Sequence, residues 1–264
     1  MKQRIITAII ALALFVPVVL YGGLAFTLAI YLIATVALYE ILRMKQIRLV
    51  SIPGALALVN LYIMLMPEQY ESTLIGWTGH DRMTLVFVLV FMLLLYAVLV
   101  KNTFTYDDAA FVFFGMMYIG IGFYYLIETR LVDLIYVLFA LLIVWTTDSG
   151  AYFAGRKFGK KKLWPEISPN KTIEGFYGGI AAAIVFALLL NFFFPFADTW
   201  IQLIFVTIAA SIIGQFGDLS ESAIKRHYHV KDSGTLLPGH GGMLDRFDSL
   251  LFVVPLLHFL HFIP

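Results

Sequence analysis

Long apolar runs separated by short polar segments dominate the chain. A transmembrane helix needs about 20 predominantly apolar residues. Runs close to that length cover residues 5–21, 24–41, 49–66, 83–100, 109–127, 134–152, 176–195, 200–217 and 248–263. These runs are continuously apolar rather than alternating, which disfavours a membrane β-barrel. The pattern therefore predicts an all-α polytopic membrane protein with nine transmembrane helices.

Composition supports a membrane protein and excludes several functional classes. The chain is 61% hydrophobic and 13% charged, whereas soluble domains have about 25% charged residues. Its net charge of +1, without a basic tract interleaved with aromatics, argues against nucleic acid as a partner. The absence of cysteine excludes disulfides, thiolate metal sites and a cysteine nucleophile. Apolar character continues past the first 23 residues without a small-residue cleavage site, so we expect a retained first helix rather than a signal peptide.

The positions of lysine and arginine predict the orientation of the spans. Cytoplasmic loops carry an excess of these residues. With the N-terminus inside, 16 of the 18 fall in cytoplasmic segments, and only Arg82 and Arg130 do not. Loops 153–175 and 218–247 then face the cytoplasm, and loop 67–82 is an outer connection. We expect residues 1–132 to form a scaffold in contact with lipid, and residues 133–264 to carry the catalytic loops.

A polar block between two apolar runs holds the clearest candidate chemistry. Asp218 precedes Ser222, Lys225 and Arg226 by four, seven and eight positions, which places them on one helical face. Two antiparallel helix ends would bring Asp218 to Asp245. Paired carboxylates suit a hard cation such as Mg²⁺, which keeps waters and substrate phosphates as its other ligands.

Interfacial ion pairs are the alternative interpretation of this block. They would join Asp218 to Arg226 and Asp245 to Arg246. Carboxylates at membrane depth are costly and usually functional, which favours the cation site. Asp248 lies three positions after Asp245, on the same face of a helix.

A glycine-rich turn follows Lys231 and Asp232 in the sequence. Gly239, Gly241 and Gly242 occupy three of four positions and free the backbone there. We expect their N–H groups to face an anion at the start of the following helix. His240, between them, is interpreted first as a phosphate donor, with a general base or a simple turn residue as alternatives.

The other cytoplasmic loop contains Ser168, Lys171 and Thr172. Its lysine and hydroxyls are suited to a phosphate or a nucleotide base, and Thr172 is also an N-cap candidate for the next helix. Asp148, near the end of the sixth span, is a functional candidate because intramembrane carboxylates usually are.

The polar block resembles the signature of the phosphatidate cytidylyltransferase family, also called CDP-diacylglycerol synthases. The matching pattern is Ser222-x-x-Lys225-Arg226, then Lys231-Asp232-x-Gly234, then Pro238-Gly239-His240-Gly241-Gly242-x-x-Asp245-Arg246-x-Asp248. No position departs from it. The Ser-Pro-Asn-Lys-Thr loop is similar to a second block of that family, and the nine-span layout to its bacterial members.

The resemblance implies transfer of the cytidylyl group of CTP to phosphatidate, giving CDP-diacylglycerol and pyrophosphate. It further implies dependence on Mg²⁺, in a bacterial cell membrane with the active site facing the cytoplasm. Whether a second cation occupies the site stays open. A homodimer is compatible with the sequence.

The implied catalytic residues are Asp218, Lys225, Arg226 and Asp245. The implied metal ligands are Asp218 and Asp245, supported by Asp248 and Asp232. The candidate substrate-binding residues, from the reasoning above and the resemblance together, are Asp148, Ser168, Lys171, Thr172, Ser222, Lys231, His240, Gly241, Gly242 and Arg246.

Two other functions stay open at this point. A CTP-dependent kinase of polyprenol or phytol would need similar groups, but would direct attack to the γ-phosphorus and release CDP. A cation transporter could use Asp148 and Asp218. That reading is weaker because charge collects at the cytoplasmic helix ends, whereas transporters of this kind place polar groups at midspan on broken helices.

Overall fold

A computed structural model describes residues 2–239 and 241–264, without the side chains of residues 2–5 and Ala8. Helices dominate it, and one short two-stranded sheet accompanies them. In chain order the elements are α1 (Lys2–Tyr21), α2 (Gly23–Met44), α3 (Ile52–Met64), α4 (Glu71–Thr78), α5 (Arg82–Leu99), α6 (Tyr106–Val132), α7 (Leu134–Phe158), β1 (Lys162–Trp164), β2 (Ser168–Thr172), α8 (Ile173–Phe193), α9 (Trp200–His227), α10 (Leu244–Phe247) and α11 (Leu250–Phe259).

Every apolar run singled out in the sequence contains a helix. Across the described ranges, six helices are long and apolar enough to cross a membrane, namely α2, α5, α6, α7, α8 and α9. Shorter apolar helices occupy Ile9–Tyr21, Ile52–Met64 and Leu250–Phe259. Large apolar side chains such as Leu14, Phe91 and Phe192 are exposed, as expected of surfaces that contact lipid. The prediction of an all-α integral membrane protein is confirmed.

The chain divides into two compact units. The first unit comprises Met1–Glu128 and Asp232–Leu244, and the second comprises Thr129–Lys231 and Asp245–Pro264. The glycine-rich turn therefore belongs to the first unit. The helical face that carries Asp218 belongs to the second unit, together with the β-hairpin.

In the first unit, the predicted outer connection 67–82 has structure of its own. A 3₁₀ turn at Glu68–Tyr70 leads into α4. Arg82, predicted to lie in this loop, is the first residue of α5 and is buried. Its guanidinium lies 3.5 Å from the Glu71 carboxylate and 4.5 Å from the ring centre of Tyr124. A buried cation needs partners of this kind, because burial of an unpaired charge is costly.

In the second unit, α7 and α8 pack closely through small side chains. A Cβ added to Gly178 would overlap Ala154, and one added to Gly150 would overlap Ala182. Small residues let transmembrane helices approach closely and gain dispersion energy. Thr147 of α7 also shares a 2.8 Å hydrogen bond with Ser211 of α9. These contacts fix the helices on which the candidate site stands.

The helices extend further into the polar blocks than the apolar runs indicated. α7 ends at Phe158 rather than near residue 152, and α9 ends at His227 rather than near residue 217. The predicted loop 218–247 thus begins as helix. A β-hairpin then connects α7 to α8, with Lys162 paired to Thr172 and Trp164 paired to Ser168.

Candidate active site

One face of α9 carries a carboxylate, a hydroxyl and a cation, as the spacing predicted. Asp218, Ser222 and Lys225 lie on the continuous helix Trp200–His227. Ser222 Oγ donates a 3.3 Å hydrogen bond to Asp218 Oδ1. Arg226 is exposed, and its guanidinium donates to the carbonyl oxygens of Ile167 and Val230. The structure therefore places Arg226 against the hairpin and the end of α9.

Asp218 forms an ion pair with Lys171. Lys171 Nζ lies 2.7 Å from Asp218 Oδ2, and both side chains are partly exposed. The same ammonium donates to the Gln215 carbonyl at 3.5 Å. Strand β2 delivers Lys171 to this position, so the hairpin and α9 contribute to one site. An ion pair that remains open to solvent leaves both charges accessible to a phosphate or a cation.

Lys225 holds two acidic side chains at once. Its ammonium lies 2.5 Å from Glu221 Oε2 and 2.5 Å from Asp245 Oδ1. Glu221 is fully buried, and the side chains of Lys225 and Asp245 are 10% and 6% exposed. These partners differ from the arginines that the ion-pair alternative named. Buried charges require such pairing, because desolvation of an isolated charge costs several kcal/mol.

Glu221 was missed by the sequence reasoning. It lies one turn before Lys225, a spacing typical of ordinary surface ion pairs. One signal was available, since position 221 falls three residues after Asp218 on the same stretch of α9. Its burial, which makes it notable, depends on the packing of α9 and could not be read from spacing.

Asp148 and Asp248 complete an electrostatic cluster around Asp218. Asp148, on α7, lies close enough to Asp218, Lys171 and Arg246 for their charges to act on it. Asp248 lies in the turn between α10 and α11. Asp248 lies close enough to Asp218 and Lys225 for their charges to act on it. The expected pairing of Asp218 with Asp245 stays a prediction, because the ion pairs join Asp218 to Lys171 and Asp245 to Lys225.

The side chains of this cluster have the chemistry that a divalent cation requires. Within residues 2–239 and 241–264, no three His, Asp or Glu side chains converge into a ready-made metal site. The donors are nevertheless carboxylate oxygens, the class that Mg²⁺ prefers. Glu221 Oε1 is buried and finds no hydrogen-bond partner among the described residues. Acidic side chains also outnumber basic ones in the cluster, which consists of Asp148, Asp218, Glu221, Asp245, Asp248, Lys171, Lys225 and Arg246. The residues present fit a cation that would satisfy this excess.

The hydroxyl groups of Thr172 and Ser168 lie in the β-hairpin and at its junction with α8. Thr172 is the N-cap of α8, and its Oγ1 accepts a 3.1 Å hydrogen bond from the Gly175 amide. The N-cap prediction for Thr172 is confirmed. Ser168 begins β2 and pairs with Trp164. The role of both hydroxyls in substrate binding stays a prediction.

The glycine-rich turn of the first unit is tightly folded. The Leu237 amide donates to the Gly241 carbonyl at 3.1 Å. Gly239 and Gly241 adopt φ of 81° and 79°, which side-chain-bearing residues rarely adopt. Lys231 and Asp232, before the turn, are exposed. Asp232 belongs to the first unit, whereas Asp218, Asp245 and Asp248 belong to the second. His240 lies outside the described residues.

A carboxylate of the protein binds the two backbone amides that follow the glycine-rich turn. Glu40 of α2 accepts hydrogen bonds from the Met243 and Leu244 amides at 2.9 and 2.8 Å. A buried carboxylate therefore occupies these two amides. The expectation that the N–H groups of Gly239, Gly241 and Gly242 face a substrate anion stays a prediction. Sequence reasoning gave Glu40 no role, since its partners lie about 200 positions away in the chain.

Comparison with known proteins identifies the family. The model of the "Cytidylyltransferase family" matches residues 2–263. The chain belongs to the cytidylyltransferase family. Among its relatives, the phosphatidate cytidylyltransferase of Bacillus subtilis (strain 168) is 51% identical over 263 residues, covering 98% of this chain and 97% of the relative. The protein of the same name from Staphylococcus saprophyticus is 50% identical over 260 residues, covering 98% of each. The Staphylococcus aureus (strain COL) protein of that name is 48% identical, again over 98% of each chain. The match therefore extends through the first hundred residues, where the sequence analysis had only hydropathy.

Proposed function

We propose that the protein transfers the cytidylyl group of CTP to phosphatidate, giving CDP-diacylglycerol and pyrophosphate for phospholipid biosynthesis. The observation that carries this conclusion is the identity of about half of all positions, over nearly the full length, with relatives named phosphatidate cytidylyltransferase. The reaction class is nucleotidyl transfer. CTP and a membrane lipid are the substrates, and the bilayer is the setting.

Cytidylyl transfer depends on stabilisation of negative charge on the phosphates more than on proton transfer. A phosphate oxygen of phosphatidate forms a bond to the α-phosphorus of CTP, and the bond from that phosphorus to the bridging oxygen of the β-phosphate breaks. The attacking oxygen is already anionic near neutral pH, so no general base has to activate it. The protein must bring two polyanions together and stabilise the charge that develops in the transition state.

The residues of the second unit are suited to that task. We assign Lys171 to the nucleotide phosphates, because its ion pair with Asp218 is partly exposed and can be exchanged for a phosphate. Arg246 is exposed beside the acidic cluster and is the candidate for the lipid phosphate. Lys225 is buried between Glu221 and Asp245, and we propose that it holds these carboxylates in place.

We further propose that Asp218 and Asp245 would hold Mg²⁺, supported by Asp248, with Glu221 beside them. When bound, it supplies Lewis-acid stabilisation of phosphoryl charge. The excess of carboxylates and the unpartnered Glu221 oxygen support this assignment. A second cation, and a contribution of Asp232, stay predictions.

The membrane arrangement we propose has nine spans, a cytoplasmic N-terminus and a site open to the cytoplasm. The distribution of 16 of 18 basic residues supports this orientation, and it places the hairpin where soluble CTP is available. A homodimer stays a prediction that light scattering of the purified protein would test.

A product assay with an acceptor panel tests the proposed reaction. Purified protein in detergent is supplied with CTP, Mg²⁺ and either phosphatidate or a polyprenol, and pyrophosphate and CDP are quantified separately. We expect pyrophosphate to appear with phosphatidate only. Accumulation of CDP with the polyprenol would indicate a lipid kinase, and no product with either lipid would overturn the assignment as an enzyme of this class.

A further inference from the structure

Glu40 lies near the C-terminal end of α2, which is the end predicted to face the cytoplasm. It is far in sequence from every residue assigned to the reaction. Its side chain is almost fully buried, at 2% exposure. It belongs to the first unit together with the segment Asp232–Leu244. A carboxylate so placed is costly unless its oxygens are fully hydrogen-bonded.

The Glu40 carboxylate accepts three hydrogen bonds, all from one loop. Oε1 accepts from the Met243 amide at 2.9 Å. Oε2 accepts from the Leu244 amide at 2.8 Å and from Ser233 Oγ at 3.0 Å. The three donors come from both ends of the segment 233–244, which we call the signature loop. One side chain thus closes the two ends of this loop onto α2.

Two glycines of the signature loop, Gly234 and Gly242, lie against the same carboxylate. A Cβ added to Gly234 or to Gly242 would lie within 3.0 Å of Glu40 oxygen atoms. Real side chains do not tolerate contacts this short, so any larger residue would displace either the loop or the carboxylate. The backbone at both glycines has to approach Glu40 closely, which gives their presence in the signature a physical reason.

The loop leads directly into the reacting residues. Leu244, whose amide Glu40 holds, begins α10, and Asp245 and Arg246 are the next two residues of that helix. A displacement of the loop would therefore shift the start of the segment that carries Asp245. Misplacement of catalytic groups by about 1 Å can cost about 10²-fold in rate.

We propose that Glu40 is a positioning residue that fixes the signature loop, and with it the start of α10, for cytidylyl transfer. This inference rests on the proposed function. Glu40 acts through the loop and does not touch the substrates. It also explains why the amides at the start of α10 are unavailable to a substrate phosphate.

The test replaces Glu40 by glutamine. Glutamine keeps the shape, but its amide group presents a donor to a backbone N–H that needs an acceptor. We expect E40Q to lower kcat by about 10-fold or more, to leave the KM for CTP within about 2-fold, and to speed hydrogen exchange at Met243 and Leu244. G234A, which intrudes on the same carboxylate, should reproduce this pattern. The matched control is E128Q, because Glu128 also accepts a backbone amide in the first unit, from Glu68.

Each outcome decides the proposal. If wild-type and E128Q protein form CDP-diacylglycerol while E40Q turns over normally, Glu40 has no positioning role, and the proposed function survives. If E40Q loses thermal stability but its folded fraction keeps the wild-type kcat, the residue is structural only. If the wild-type protein does not form CDP-diacylglycerol, the proposed function fails first, and hydrogen exchange alone still reports whether Glu40 holds the loop.

Discussion

Carboxylates of the second unit differ in how their neighbours hold them. Asp218 shares a partly exposed ion pair with Lys171, whereas Asp245 is buried against Lys225. The exposed pair can be exchanged for substrate phosphate or a cation during turnover, because little desolvation penalty attaches to it. The buried pair is expected to stay formed. The two acids that looked equivalent in sequence therefore have different expected roles.

Replacement of Asp218 by asparagine tests its direct part in the reaction. We expect D218N to lower kcat by at least about 100-fold, the size of loss typical when one charge-stabilising group is removed. The protein should still insert and remain folded, since Asp218 is not buried. D107N, at an exposed aspartate in the first turn of α6, is the control and should behave as wild type. Near-normal turnover of D218N would remove this residue from the site.

Lys225 should matter for stability as well as for activity. K225M leaves Glu221 and Asp245 as buried charges without their partner, and breaking a buried pair in this way costs about 3–5 kcal/mol. We expect a clear fall in the thermal unfolding temperature in detergent, partly restored by the double variant K225M/E221Q. The neighbouring R226M change removes an exposed cation, and its unfolding temperature should stay close to that of wild type. Equal stability of K225M and R226M would contradict the buried cluster.

Single residues also show where sequence reasoning stopped. The helical spacing of Asp218, Ser222 and Lys225 follows from local geometry, and it was predicted correctly. The partners of Glu40 and the burial of Glu221 follow from packing between segments distant in the chain. Local spacing and hydropathy contain no signal for these partners or for this burial, so neither feature could be predicted from one sequence.

Whole elements were predicted better than their ends. Each apolar run contains a helix, because a backbone in lipid must satisfy its hydrogen bonds internally. The runs underestimated α7 and α9, which continue as helix through polar residues to Phe158 and His227. An apolar run shows which residues lie in lipid. A helix can continue beyond that run through polar residues, as α7 and α9 do. The α9 extension is what carries Ser222, Glu221 and Lys225.

The junction of the β-hairpin with α8 offers a test of an element boundary. Thr172 caps α8 through its hydroxyl, which the Gly175 amide contacts. Loss of such a cap costs about 1 kcal/mol, so T172V should unfold a few degrees below wild type, whereas T172S should retain the wild-type value. Unfolding curves of the two variants in one detergent provide the measurement. Equal unfolding temperatures would show that the cap does not stabilise the helix.

Over the whole molecule, the orientation in the membrane can be tested cleanly because the chain contains no cysteine. Single cysteines at exposed positions then report one site each. We expect S72C, in α4, to react with a membrane-impermeant maleimide on intact cells, and K161C, beside the hairpin, to react only after permeabilisation. Both side chains are exposed, so reactivity reports the side of the membrane. The reverse pattern would contradict the cytoplasmic site.

Attack by phosphatidate at the α-phosphorus of CTP separates a cytidylyltransferase from a lipid kinase. The most direct measurement incubates the purified protein with phosphatidate, Mg²⁺ and CTP labelled in separate samples at the α- and the γ-phosphate. We predict that the α label enters the lipid fraction and the γ label leaves in pyrophosphate. Entry of the γ label into lipid with release of CDP would contradict attack at the α-phosphorus and assign the protein to the lipid kinases.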